Sequence, residues 1–132
     1  MADTVTRVAL VDDDASVRKA LARLLQASSF EVNTFESAKE FLKSLKLSLP
    51  QCLVVDLHMP EVSGLELQRH LTRASINIPT IVITAFNEPE LRARCRSAGA
   101  FAFLVKPLDG PTLISEINMA VAGRAMMSAQ VS

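Results

Sequence analysis

Five short runs rich in β-branched and other apolar residues recur along this chain, at Arg7–Val11, Glu31–Phe35, Cys52–Asp56, Thr80–Thr84 and Ala100–Val105, with at least ten residues between successive runs. Runs of this length read as strands, and each spacer is long enough for one crossover helix. Right-handed crossovers carry helices over both faces of a parallel sheet, so the alternation predicts a single doubly wound α/β domain of five strands and five helices. A length of 132 residues suits one domain with its own core, and 49% hydrophobic against 21% charged residues excludes a disordered chain.

The spacers carry helical periodicity. Between the first two strands, Val17, Leu21, Leu24 and Leu25 form one apolar stripe, with Arg18, Lys19 and Arg23 off it. The second helix, about Ser37 to Ser44, turns Ala38, Phe41 and Leu42 inward, and the third, about Ser63 to Ala74, uses Leu67 and Leu71. Leu91, Cys95 and Ala98 give the fourth helix only a thin apolar edge among Arg92, Arg94 and Arg96, so it should be the least firmly docked. Asp109-Gly110-Pro111 supplies a cap and an early proline for a last helix whose face is Leu113, Ile117, Ala120 and Val121, with Arg124 at its edge. Residues 1–124 are read as the domain, and residues 125–132, small and patternless, as a tail or the start of a linker.

Fourteen basic residues balance fourteen acidic ones, which gives no electrostatic grip on nucleic acid; any DNA role needs another module. Cys52 and Cys95 are too few and scattered for a disulfide framework or zinc site and are expected as buried thiols. No stretch approaches the length of a membrane span, and Met1 to Thr6 holds no apolar signal core, so a cytoplasmic location is expected.

Chemistry concentrates at strand ends. Asp12, Asp13 and Asp14 follow the first run, Asp56 closes the third, Thr84 closes the fourth and Lys106 follows the fifth. Ligands of open parallel sheets bind at the carboxyl ends of strands, where these residues should converge. Two carboxylates about 4 Å apart repel by roughly 4 kcal/mol at an effective dielectric of about 20, so the cluster calls for a cation or raised pKa values.

The acidic group, the stretch Asp56-Leu57-His58-Met59-Pro60-Glu61-Val62-Ser63-Gly64, Thr84-Ala85 and Lys106-Pro107 occur together and in order. In this combination the chain, from about Arg7 to Arg124, resembles the receiver (CheY-like) domain of bacterial two-component response regulators. It looks closest to regulators of the FixJ type, which carry a LuxR-type helix-turn-helix. The resemblance implies a flavodoxin-like fold with strand order 2-1-3-4-5.

It also implies roles for individual residues. Asp56 is the phosphoacceptor, modified by a sensor histidine kinase. Asp13 binds Mg2+ directly, Asp12 through water, and Asp56 and the backbone carbonyl of His58 complete the protein ligands. Lys106 pairs with Asp56 at rest and with the phosphoryl group afterwards, aimed by a cis peptide bond to Pro107. Thr84 is the switch hydroxyl and Phe103 the aromatic residue that turns inward when Thr84 moves. Phe86, two past Thr84, should shield the phosphoryl group and slow its hydrolysis. Asp14 has a local role as a helix cap.

The implied output is control of dimerisation or of an attached module through the fourth helix, fifth strand and fifth helix, with transcription regulation as the result. A stand-alone receiver acting by protein–protein interaction is the alternative. A magnesium-dependent phosphatase of the haloacid dehalogenase type fits less well, because His58 stands where that class places a second Asp and no cap domain is present. The chain is therefore expected to be modified rather than to act as an enzyme. A nucleotide or flavin carrier lacks its glycine-rich phosphate loop here.

Overall fold

The computed structural model describes the backbone of residues 5–131 and the side chains of residues 5–123. Strands β1 (Arg7–Val11), β2 (Glu31–Phe35), β3 (Cys52–Asp56), β4 (Thr80–Thr84) and β5 (Ala102–Val105) form one parallel sheet in the order β2-β1-β3-β4-β5. Helices α1 (Ala15–Ala27), α2 (Ala38–Ser44), α3 (Gly64–Arg73), α4 (Pro89–Ser97) and α5 (Gly110–Val131) supply the crossovers. This is the flavodoxin-like arrangement expected from the sequence.

Strand alternation splits the core in two. Ala9, Val11, Leu53, Val55 and Val82 face α2, α3 and α4, where they meet Phe41, Leu67, Leu71 and Cys95. Val8, Leu10, Cys52, Val54, Ile81 and Ile83 face α1 and α5, where they meet Leu21, Leu25, Leu113 and Ile117. Both faces of β3 and β4 are covered, which is why these strands are uninterrupted apolar runs rather than alternating ones. The edge strand β2 is more polar, carrying Glu31, Asn33 and Thr34 exposed.

Local chemistry sets the helix ends. Asp14 caps α1 by accepting from the amides of Ser16 and Val17, as expected. Ser37 caps α2, and Ser63 with Glu66 forms a reciprocal capping box on α3. Asp109 accepts from the hydroxyl and the amide of Thr112 at the start of α5, contacts that hold its carboxyl below the usual range.

Two boundaries differ from the sequence reading. Ala100 and Phe101 are not in β5: the Ala100 amide donates to Cys95 O and closes the end of α4 through Gly99, whose φ is +100°. Helix α5 continues through Val131, over residues read as tail or linker. Those residues include good helix formers and no proline, so the absence of an apolar stripe did not end the helix. The side chain of Arg124 lies outside the described residues.

Burial pushes the Cys52 thiol up to about 12 and also raises that of Cys95, so both are poor nucleophiles, in keeping with buried structural thiols. Among the described residues no helix is long and apolar enough to cross a membrane.

Candidate functional site

Register brings the strand ends together. Val11 pairs with Val55, Asp56 with Ile83, and Thr84 with Val105, so Asp12, Asp56, Thr84 and Lys106 leave the sheet within about one residue of the same level. The four residues come from four adjacent strands.

Carboxylate oxygens of Asp12, Asp13 and Asp56 all lie within 4.8 Å of one another. Asp12 is fully buried and Asp56 only 7% exposed, whereas Asp13 opens to solvent. The surroundings fix Asp12 on several sides: its Oδ1 accepts from the Asp14 amide, its backbone carbonyl accepts from Arg18, and its own amide donates to Phe35 O.

The Lys106 ammonium enters from β5, on a Lys106-Pro107 peptide bond that is cis, as expected. Its Nζ lies 3.2 Å from Asp12 Oδ2 and 3.7 Å from Asp56 Oδ1. Pairing with Asp56 was expected; here Lys106 bridges both acids and sits closer to Asp12, the more deeply buried of the two. One ammonium cannot neutralise three carboxylates. Desolvation, together with the neighbouring charge of Asp12, lifts the Asp56 carboxyl to about 6, against the opposing pull of Lys106.

This donor set fits a hard divalent cation. Three carboxylates, one solvent-open, offer oxygen ligands of the kind magnesium prefers while leaving positions for water. The cluster also has the excess negative charge that such an ion would offset. His58, the expected donor of a backbone carbonyl, begins the loop two residues past Asp56.

Thr84 is fully buried at the end of β4, where its Oγ1 accepts from the Phe86 amide at 3.2 Å and its carbonyl accepts from the Lys106 amide. Phe103, 8% exposed, lies beneath the guanidinium of Arg92 at 5.5 Å from the ring centroid. Phe86 is 62% exposed and meets the His58 ring edge-to-face.

Two contributors were not recognised in the sequence reading. Glu88, at the N-cap position of α4, makes no cap bond; its carboxylate lies 2.7 Å from His58 Nε2 and ties the loop after β3 to the loop after β4. Nothing in the local pattern around either residue signals this pair. Gly64, the first residue of α3, lies so close to β3 that a Cβ there would stand 2.8 Å from the carbonyl oxygen of Asp56. Its place eight residues past Asp56 was visible, but the close approach was not.

Residues 8–118 match the family described as the response regulator receiver domain. The transcriptional regulatory protein TdiR of Thauera aromatica is 41% identical over 115 residues, covering 87% of this chain and 51% of its own length. The transcriptional regulatory protein FixJ of Rhizobium meliloti is 40% identical over 113 residues, covering 86% of this chain and 55% of its own. The crystal structure of FixJ-N superposes with a TM-score of 0.84 at 38% identity, over 92% of this chain and 96% of that one. The chain thus spans about half the length of the curated relatives it matches.

Proposed function

This chain belongs to the response regulator receiver domain family of two-component systems, and from that premise we propose that Asp56 accepts a phosphoryl group from a phosphohistidine of a sensor histidine kinase. The observation that carries this reading is a largely buried strand-end carboxylate, 7% exposed, with two further carboxylates and one ammonium converging on it.

Asp56 Oδ attacks phosphorus, the bond from phosphorus to the kinase imidazole breaks, and an acyl phosphate forms on Asp56. A carboxyl raised to about 6 is mostly ionised at neutral pH and so remains a competent nucleophile. Positioning and charge compensation do most of the work in such transfers. In this reading Lys106, 3.7 Å from Asp56 Oδ1, pairs with a phosphoryl oxygen, and the hydroxyl of Thr84, which accepts from the Phe86 amide and keeps its own proton to give, donates to another. Asp12, Asp13, Asp56 and the His58 carbonyl would hold Mg2+, which would supply neutralisation of the negative charge gathered during the transfer. The chain is in this reading the modified substrate and not a turnover enzyme, and it works in the cytoplasm.

New contacts to the phosphoryl group favour one arrangement of the loops after β4 and β5 and shift the population toward it. Helix α4 follows the first of these loops and buries only Cys95 fully, as suits a moving element. The output is dimerisation, or control of a transcription module, through α4, β5 and α5. The curated relatives are named as transcriptional regulators and are about twice as long, so any contact with DNA belongs to a module outside these residues.

Incubation with Mg2+ and acetyl phosphate should add one phosphoryl group per chain by intact-mass measurement. Unmodified protein that instead turns over many equivalents of donor would favour the phosphatase alternative. Replacing Thr84 with Ala should leave phosphoryl uptake within about threefold of the parent. Amide shifts across Pro89–Ser97 on phosphorylation should nevertheless shrink, because the hydroxyl that couples loop to phosphoryl group is gone.

A further inference from the structure

The groove between α3 and α4 has no part in the phosphoryl chemistry. It encloses about 480 Å³ and is lined by Arg69, Thr72 and Arg73 on one side and Ala93, Arg94, Ser97 and Ala98 on the other. Small residues on α4 open the gap, and three arginines border it. No Asp or Glu lines it. Among the described residues none of these arginines makes an ion pair within 4 Å, although the charge of Arg69 is felt by Glu66 one turn before it on α3. Across Ala93 and Ser97 a second hollow, of about 490 Å³, adds Arg92 and Arg96. Arg92 is steadied there over the Phe103 ring.

Helix dipoles account for part of this pattern. Arg73, Arg94 and Arg96 lie in last turns, where one cation per helix offsets the carbonyl ends. That local role does not explain why arginines of two helices line the same acid-free groove. Arg69 stands a turn earlier, and its charge reaches the buried Cys95 thiol on α4, pulling it down against the effect of burial.

We propose that this groove docks an acidic helical segment of a partner protein. A free phosphate is the weaker candidate, because seven residues of two helices line a groove of about 480 Å³, a surface far larger than one small anion covers. Arginines reaching outward from an open groove suit carboxylates presented on a second surface, and their planar forks bind carboxylate in a bidentate manner. Ala93 and Ser97 let a partner helix come close between the charged rims. The site sits at the carbonyl ends of α3 and α4, away from the start of α3 that borders Asp56, and so stands apart from the acceptor chemistry.

The probe is a synthetic helical peptide with Glu at every third or fourth position, titrated into the isotope-labelled full chain. Amide shifts should localise to residues 69–73 and 93–98. Charge reversal by Arg69→Glu with Arg73→Glu should weaken binding at least about tenfold, as should raising salt from about 0.05 to about 0.5 M. Arg23→Glu, an exposed change on α1, should alter affinity less than about twofold. Equal affinity of the double variant and the parent, with unfolding midpoints matched, would overturn the proposal. Displacement of the peptide by an equimolar amount of tripolyphosphate would overturn the choice of occupant.

Discussion

Asp56→Asn protein takes up no phosphoryl group from acetyl phosphate and Mg2+, yet unfolds at higher temperature than the parent above pH 6. The loss is complete because the amide is not a nucleophile here, and Asp12, the other carboxylate within 4 Å of the Lys106 ammonium among the described residues, is fully buried with its Oδ1 held by the Asp14 amide. The gain in stability follows from linkage. Asp56 titrates near 6 in the folded protein against about 4 when unfolded. The folded state therefore holds the extra proton between those values, and stability falls as pH rises from about 4 to about 6. Asn removes that penalty: up to about 2 kcal/mol is recovered above pH 6 and little below pH 4. Mass spectrometry and thermal melts across pH 4 to 8 test both halves. Labelling equal to the parent would displace Asp56 as acceptor, and a pH-independent difference in melting would remove the electrostatic account of the cluster.

Gly64→Val costs about 3 kcal/mol or more and lowers phosphoryl uptake in the fraction that stays folded. An added Cβ at this position meets the Asp56 carbonyl oxygen at 2.8 Å and the Leu57 Cα at 3.1 Å, and both are backbone atoms of the acceptor strand and its exit. Neither can swing aside as a side chain could, so α3 must move outward or β3 must bend. Overpacking of this kind typically costs about 1 to 3 kcal/mol, and two further methyl groups add to it. The Gly64 amide also donates to Leu57 O at 2.9 Å, a bond that outward movement would stretch. Urea unfolding gives the stability loss. Gly64→Ala should fall between parent and valine variant, since it adds the clashing Cβ without the two further methyl groups. A valine variant as stable as the parent would mean that the contact yields freely.

Much of this molecule could be read in advance, for identifiable reasons. The strands were legible because β3 and β4 are covered on both faces and so appear as unbroken apolar runs. The polar, exposed β2 was legible mainly by its spacing. The first helix was plain because its stripe buries Leu21 and Leu25 while its charges stay outside. Boundaries were less secure where backbone bonding decided them, as at Ala100, whose amide serves the end of α4, with Phe101 donating to Thr80 O just ahead of β5. The continuation of α5 through Val131 was missed because intrinsic helix propensity needs no apolar stripe.

Which residues meet at the site followed from a simple rule: acids, a hydroxyl and a lysine at carboxyl ends of parallel strands must gather on one edge of the sheet. Their distances did not follow. That Lys106 stands nearer Asp12 than Asp56, that Glu88 reaches His58 rather than capping its own helix, and that α3 starts against the Asp56 carbonyl all depend on how far helices and loops travel after leaving the strands. The arginine-lined groove belongs to the same class, since Arg69 and Arg94 are distant in sequence and meet only through helix packing.

The amino-acid order by itself determined the periodicities, the strand and helix count and the chemical identity of what each strand end carries, because period and side-chain type are local properties. Only the tertiary structure decided the pairing of charges, the lift of the Asp56 carboxyl and the contacts between successive loops. Those depend on separations of a few ångströms and on the exclusion of water, neither of which exists until the sheet is covered.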